Sequence, residues 1–126
     1  MIADYVMSIA MKEGDDEQQF NLITPESNFS AGCLTFDMIT IQCRYQDRCE
    51  VGGYIDVFTV NHSLQHHILR EELNDAYEWH TIEGILPVGS YHIVFEFRSE
   101  TIESDAMVWL ANVIASAKNC THPGGQ

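Results

Sequence analysis

Three histidines, His62, His66 and His67, fall within six residues of one another, and His80 and His92 lie further along the chain. Nitrogen ligands in that number are the raw material of a zinc site, and on a helix His62 and His66 would share a face. Residues 61–67 read instead as a connection between strands, where positions i and i+4 need not converge. A polar loop that gains charge as pH falls below about 6.5 is therefore the preferred reading. Nucleophilic catalysis lacks its signatures, since neither G-x-S-x-G nor C-G-S-C-W occurs. Asp37, Asp56 and Glu96 sit at alternating strand positions, but nineteen acidic residues in 126 bring some carboxylates together by number alone. No glycosidase pair stands out. A phosphate-cradling glycine loop is absent. The runs Asp15-Asp16-Glu17 and Glu71-Glu72 lack the D-x-D-x-D-G order of a calcium loop and read as solvated loops. The residues that could do chemistry thus point to no enzyme, no metal site and no cofactor.

The four cysteines, Cys33, Cys43, Cys49 and Cys120, are even in number but not spaced as zinc ligands. They allow three pairings. Cys43 with Cys49 is the local choice, because residues 44–48 read as a hairpin tip, and Cys33 with Cys120 would then tie the front of the chain to its end. On the loop-entropy model the long closure is worth about 4–5 kcal/mol and the short one about 2–3 kcal/mol. Three N-x-S/T triplets accompany them, at Asn28, Asn61 and Asn119. Even cysteines and glycosylation acceptors together favour an extracellular location.

At 126 residues the chain has the size of one domain, and its 45% hydrophobic and 20% charged residues are an ordinary globular composition. The formal net charge is −13. Such a surface repels phosphate, which excludes sequence-independent nucleic-acid binding and disfavours anionic membranes. No apolar run approaches the roughly 18–20 residues of a membrane span. Residues 1–14 have neither a basic n-region nor an apolar h-region and are not expected to be a signal peptide.

The elements that must position any site read mostly as strands. Tyr91, Ile93, Phe95 and Phe97 alternate with His92, Glu96 and Arg98. Leu34, Phe36 and Met38 alternate with Thr35 and Asp37, and Ile55 and Val57 with Asp56 and Phe58. Pro87-Val88-Gly89 is a turn, and short strands between turns suggest a sandwich or barrel. Two segments resist. Leu69, Leu73, Ala76 and Tyr77 form a helical stripe, and Met107, Leu110, Ala111, Ile114 and Ala117 leave residues 106–118 open between strand and amphipathic helix.

Several blocks in order resemble the MAM domain, the extracellular module of meprins, neuropilins and homophilic receptor tyrosine phosphatases. They are Asp4-Tyr5-Val6-Met7, Phe20-Asn21-Leu22-Ile23-Thr24-Pro25, Cys33-Leu34-Thr35-Phe36-Asp37-Met38, Gly53-Tyr54-Ile55-Asp56-Val57, Trp79 with Ile85-Leu86-Pro87, and Tyr91-His92-Ile93-Val94-Phe95-Glu96. Cys120 falls at the family's closing cysteine. The resemblance covers residues 3–120 and implies an all-β, jelly-roll-like antiparallel β-sandwich with a polar tail at 121–126. It further implies that residues 106–115 form a strand, that Cys33 pairs with Cys120, and that Trp79 is a core residue. Trp109 is read as an added core residue, with an exposed interface anchor as the alternative.

The chain departs from the family where an acid pair is replaced by Ala111-Asn112, so no ion site is expected there. Cys43 and Cys49 are additional. The family pattern starts before the position of Ala3, which implies a sandwich short of one strand and an uncovered edge along residues 4–11. Tyr5, Met7, Ile9 and Met11 are the interface candidates on that edge, and Met7→Lys or Ile9→Lys is expected to weaken a homodimer formed through it. The function expected is an extracellular, non-catalytic protein-interaction or adhesion module that self-associates. The alternatives are a carbohydrate-binding module that uses Tyr45, Tyr54 and Phe58 against sugar faces, and an accessory domain of a larger secreted enzyme.

Overall fold

The alternating segments become strands in the computed structural model, which describes residues 6–11, 18–42, 53–62, 64–72, 78–99 and 106–121. These strands are β1 (Val6–Met11), β2 (Gln18–Ile23), β3 (Ser27–Phe29), β4 (Gly32–Gln42), β5 (Gly53–Asn61), β6 (Leu64–Glu72), β7 (His80–Leu86), β8 (Gly89–Ser99) and β9 (Ala106–Ser116). The described residues contain no helix. Every pairing is antiparallel. A first sheet has the order β1-β9-β4-β7 and a second the order β2-β8-β5-β6, with β3 continuing along the β8 edge beyond β2. This is the strand order of an eight-stranded jelly roll. The edge position of β1 belongs to that order and does not require the loss of a strand.

Each sheet turns one face inward. Leu34, Phe36 and Met38 of β4 and Val108 and Leu110 of β9 meet Ile55 and Val57 of β5 and Ile93, Phe95 and Phe97 of β8, all buried. The Phe36 and Phe95 rings meet edge to face at 5.3 Å and tie one sheet to the other. At the rim, β7 and β6 come so close that a Cβ on Gly84 would lie 2.6 Å from Ile68 Cγ2 and 2.7 Å from Leu69 Cδ2. A larger residue there would push the two edges apart.

Side chains finish the strand ends. The Thr24 amide donates to the Ile93 carbonyl, and the Ile93 amide donates to Thr24 Oγ1, both at 2.9 Å, which closes β2 onto β8. Tyr91 stacks on Phe29 at 4.7 Å and donates its hydroxyl to the Pro87 carbonyl at 2.6 Å, fixing the turn before β8. Burial pushes the Tyr91 phenol up to about 12.

Residues 106–116, open between helix and strand from their period, are strand β9. A β-bulge explains the ambiguity. Thr35 faces Ile114 but Asp37 faces Ala111, so β9 carries one extra residue, and Asn112 there has a φ of 53°. The β9 residues of the core cluster therefore run Val108, Leu110, Val113, Ala115. The step of three across the bulge mimics a helical spacing. Residues 68–72 likewise belong to β6 and not to a helix, while Leu73, Ala76 and Tyr77 lie outside the described residues.

Both tryptophan expectations are corrected. Trp79 precedes β7 instead of entering it, so it is not carried between the sheets and is 51% exposed. Trp109 alternates with the buried Val108 and Leu110, which places it on the outer face of the first sheet; it is half-buried, and its indole N–H is buried without an acceptor.

Cys33 and Cys120 form a disulfide with Cα atoms 5.0 Å apart. Glu83 of β7 supports it by accepting from the amide and hydroxyl of Thr121 at 3.0 and 2.9 Å. Cys43 and Cys49 lie outside the described residues, as do Tyr5 and Tyr45. The edge expected at residues 4–11 is occupied by β1, whose register sets Met7 opposite Leu110 and Ile9 opposite Val108. Both partners are fully buried.

Candidate binding face

The outer face of the second sheet carries the most organised polar group among the described residues. The registers place Gln19, Arg98, Tyr54 and Glu72 in one row across the strands, Asn21, Glu96, Asp56 and Arg70 in the next, and Ile23, Val94, Phe58 and His67 in a third. Asp56 stands at the centre. Its neighbours Ile55 and Val57 point inward to the core, and alternation sends Asp56 outward, yet it is only 2% exposed. Arg70 Nε donates to Asp56 Oδ1 at 2.8 Å and Nη2 to Oδ2 at 3.0 Å. His67 Nε2 reaches Oδ1 at 2.8 Å. A carboxylate can only accept, so this contact selects the imidazole form with its proton on Nε2.

A second bulge makes this possible. Val57 faces Leu69 but Phe58 faces His67, so Ile68 is an extra residue in β6. In a regular strand His67 and Arg70, an odd number of positions apart, would point to opposite faces. The bulge turns both to the side of Asp56.

The aromatic rings are fixed by the same group. The Arg70 guanidinium lies 3.9 Å from the Tyr54 ring centroid, and the Phe58 and His67 rings meet edge to face at 5.1 Å. On β8, Glu96 lies directly opposite Asp56, and each acid has its own arginine. Arg98 Nε is 3.3 Å from Glu96 Oε1, and Gln19 Nε2 donates to Glu96 Oε2 at 3.1 Å. The neighbouring row, Ile23, Val94 and Phe58, is an apolar strip. Ile23 is 59% exposed, and Val94 and Phe58 are half-buried.

Burial alone would raise the Asp56 pKa, but hydrogen bonds from Arg70 and His67 and their positive charge outweigh it and hold the carboxyl below its ordinary value. A carboxyl depressed in the folded state contributes stability above the unfolded value near about 3.9 and loses it as pH falls through the lower, folded value. The unfolding free energy of the wild type is therefore expected to fall more steeply below about pH 4 than that of Asp56→Asn, measured in urea across the acid range. Parallel curves would show that Asp56 adds nothing to acid stability.

Other sequence-selected residues are dispersed. Tyr54 and Phe58 lie on this face, whereas Met7, Ile9 and Met11 belong to β1 in the other sheet. His62 sits at the β5–β6 turn with a φ of 53°, and His66 and His67 follow one another along β6, so the three do not converge. The polar connection expected at residues 61–67 is a tight hairpin. Asn28 and Asn119 are exposed, while Asn61 is half-buried and its Nδ2 donates to the Ser90 carbonyl at 2.7 Å. At the Ala111-Asn112 step, Asn112 donates to Asp37 Oδ2 at 2.7 Å, and Thr81 donates to Oδ1 at 2.6 Å. An open groove of about 480 Å³ lies at one end of the sandwich between Phe29, Leu86 and Ile114.

Sequence reading located Tyr54 and Phe58 but not Asp56 as the organising residue. The available signal was an aspartate between two core positions, Ile55 and Val57, in a chain with few cations to satisfy it. Neither a protein-family model nor a curated protein matches the chain.

Proposed function

We propose that the chain is an extracellular, non-catalytic protein-interaction module of MAM-like type, and that its contact surface is the outer face of the second sheet. The observation that carries this reading is the Asp56–Arg70–His67 group, which holds Tyr54 and Phe58 in place beside the apolar strip Ile23–Val94–Phe58. A face with an apolar strip, a charged row beside it and rings already immobilised has the elements of a protein interface. The all-β jelly roll and the order of its motifs support the family assignment, and the Cys33–Cys120 disulfide is consistent with an oxidising, extracellular setting. An acid held ionised by two donors is ill suited to general-acid catalysis, which supports the non-catalytic reading. The carbohydrate-binding alternative needs free ring faces for sugar stacking, and Arg70 already covers one face of Tyr54. An accessory role in a larger secreted enzyme would use the same face.

A fluorescent multimer of the chain applied to cultured cells tests the reading. Binding is expected to be lost after protease treatment of the cells and kept after glycosidase treatment. Phe58→Ala and Ile23→Glu are each expected to weaken it by about 30-fold, the scale of a central contact residue. Binding that survives protease but not glycosidase would replace this reading with the carbohydrate one. Binding indifferent to both substitutions would place the contact elsewhere.

A further inference from the structure

The fold treats the three N-x-S/T triplets differently. Asn61 ends β5 half-buried, and its Nδ2 donates to the Ser90 carbonyl at 2.7 Å, so a sugar on that nitrogen would be pressed against the β8 main chain. Asn119 is exposed, but its triplet is closed by the fold. Cys120 is bonded to Cys33, and the Thr121 hydroxyl donates to Glu83 Oε1 at 2.9 Å. Asn28 is exposed on the short strand β3, and Ser30, the hydroxyl residue of its triplet, is exposed as well. Asn28 also borders the open groove of about 480 Å³, so there is room beside it.

The position of Asn28 in the sheet gives a glycan there a physical task. Among the described strands, one edge of the second sheet is β6 and the other is β2 continued by β3. Sheet edges offer unpaired main-chain donors and acceptors, and proteins blunt them with charge, proline or cover. β6 carries Arg70, Glu71 and Glu72. β2 reads Gln-Gln-Phe-Asn-Leu-Ile and β3 reads Ser-Asn-Phe, without a charge or a proline between them. The opposite edge therefore has no blunting device within its strands, and the exposed triplet lies on it.

We propose that Asn28 is the main N-glycosylation site of this chain and that its glycan covers the β2–β3 edge. A bulky, hydrated group on an edge strand keeps a second strand from approaching its free main-chain groups. In the transfer the donor is a lipid-linked oligosaccharide pyrophosphate. The bond from the first sugar's C1 to the pyrophosphate oxygen breaks, the bond from C1 to Asn28 Nδ2 forms, Nδ2 loses one proton, and the lipid pyrophosphate leaves. β3 pairs with β8 on one side only, with Asn28 opposite Ser90, so the glycan replaces no ladder hydrogen bond. The proposal rests on the extracellular reading, because this transfer is made on secreted chains.

The full chain secreted from animal cells tests it. Digestion with peptide-N-glycosidase in heavy-oxygen water turns each occupied asparagine into a labelled aspartate, which peptide mass mapping locates. Asn28 is expected to carry more glycan than Asn61 or Asn119. Ser30→Ala breaks the triplet and leaves Asn28 in place, and its aggregated fraction in sedimentation is expected to rise several-fold over wild type. Enzymatic removal of the glycan from the folded wild type should give the same rise without any substitution. Adding Ser27→Lys, which puts a charge on the exposed β3 edge, should restore the wild-type fraction. A secreted chain with its Cys33–Cys120 bond formed and Asn28 unoccupied would overturn the proposal and leave the extracellular reading standing. Free thiols at both cysteines with no occupied triplet would overturn both. Deglycosylated protein that aggregates no more than wild type, or aggregation that Ser27→Lys leaves unchanged, would overturn the covering role.

Discussion

Replacing Cys33 and Cys120 together by serine is expected to lower the unfolding free energy by about 4–5 kcal/mol. The bond closes a loop with a sequence separation of 87 residues. Removing it frees the unfolded chain far more than it disturbs the folded one, and on the chain-entropy model the cost grows with the logarithm of the loop. Domains of this size hold only about 5–15 kcal/mol in total, so roughly a quarter or more of the stability is at stake. Glu83 keeps a partial hold on the end of the chain through Thr121, which preserves the local geometry but not the entropic constraint. Calorimetry of the double serine variant should show a melting temperature lower by more than about ten degrees. A shift of a degree or two would mean that the unfolded chain is already held compact without the bond.

Phe36→Ala is expected to cost about 3–5 kcal/mol. Phe36 is fully buried in β4 of the first sheet, and its ring meets Phe95 of the second. Truncation removes the transfer free energy of the ring and leaves a cavity between two sheets that cannot collapse without breaking the ladders on either side. Phe95 also loses its edge-to-face partner, a contact worth about 0.5–1.5 kcal/mol beyond the area buried. Urea unfolding is expected to show a lower midpoint with an unchanged slope, since the surface exposed on unfolding hardly changes. A loss below about 1 kcal/mol would show that neighbouring side chains refill the site.

The contrast between β8 and β9 shows how much of the fold was legible. In β8 the inward residues Tyr91, Ile93, Phe95 and Phe97 keep strict alternation, and both the strand and its buried face are plain from the sequence. In β9 the bulge at Asn112 inserts one residue, and the same kind of buried face turns into a spacing that a helix would share. Periodicity is a local signal, whereas a bulge is a property of two paired strands. No window on β9 alone can distinguish an inserted strand residue from a turn of helix. Trp79 shows the same limit from another side. Its type suits a core, but its exposure follows from where β7 begins, and pairing with β4 determines that start.

The candidate site divides in the same way. Composition by itself determined that the protein is acidic, and alternation determined that Tyr54, Asp56 and Phe58 share one face of a strand. The sequence could not show that His67 and Arg70 both grip Asp56. That arrangement depends on the extra residue Ile68 opposite the Val57–Phe58 step, which reverses the facing of everything after it in β6. Side-chain type and the alternation pattern are local properties that a chain carries with it. Which strand lies beside which, and with what offset, is decided only when distant segments compete for the same hydrogen bonds and the same core, and in this protein that competition assembled the Asp56 group.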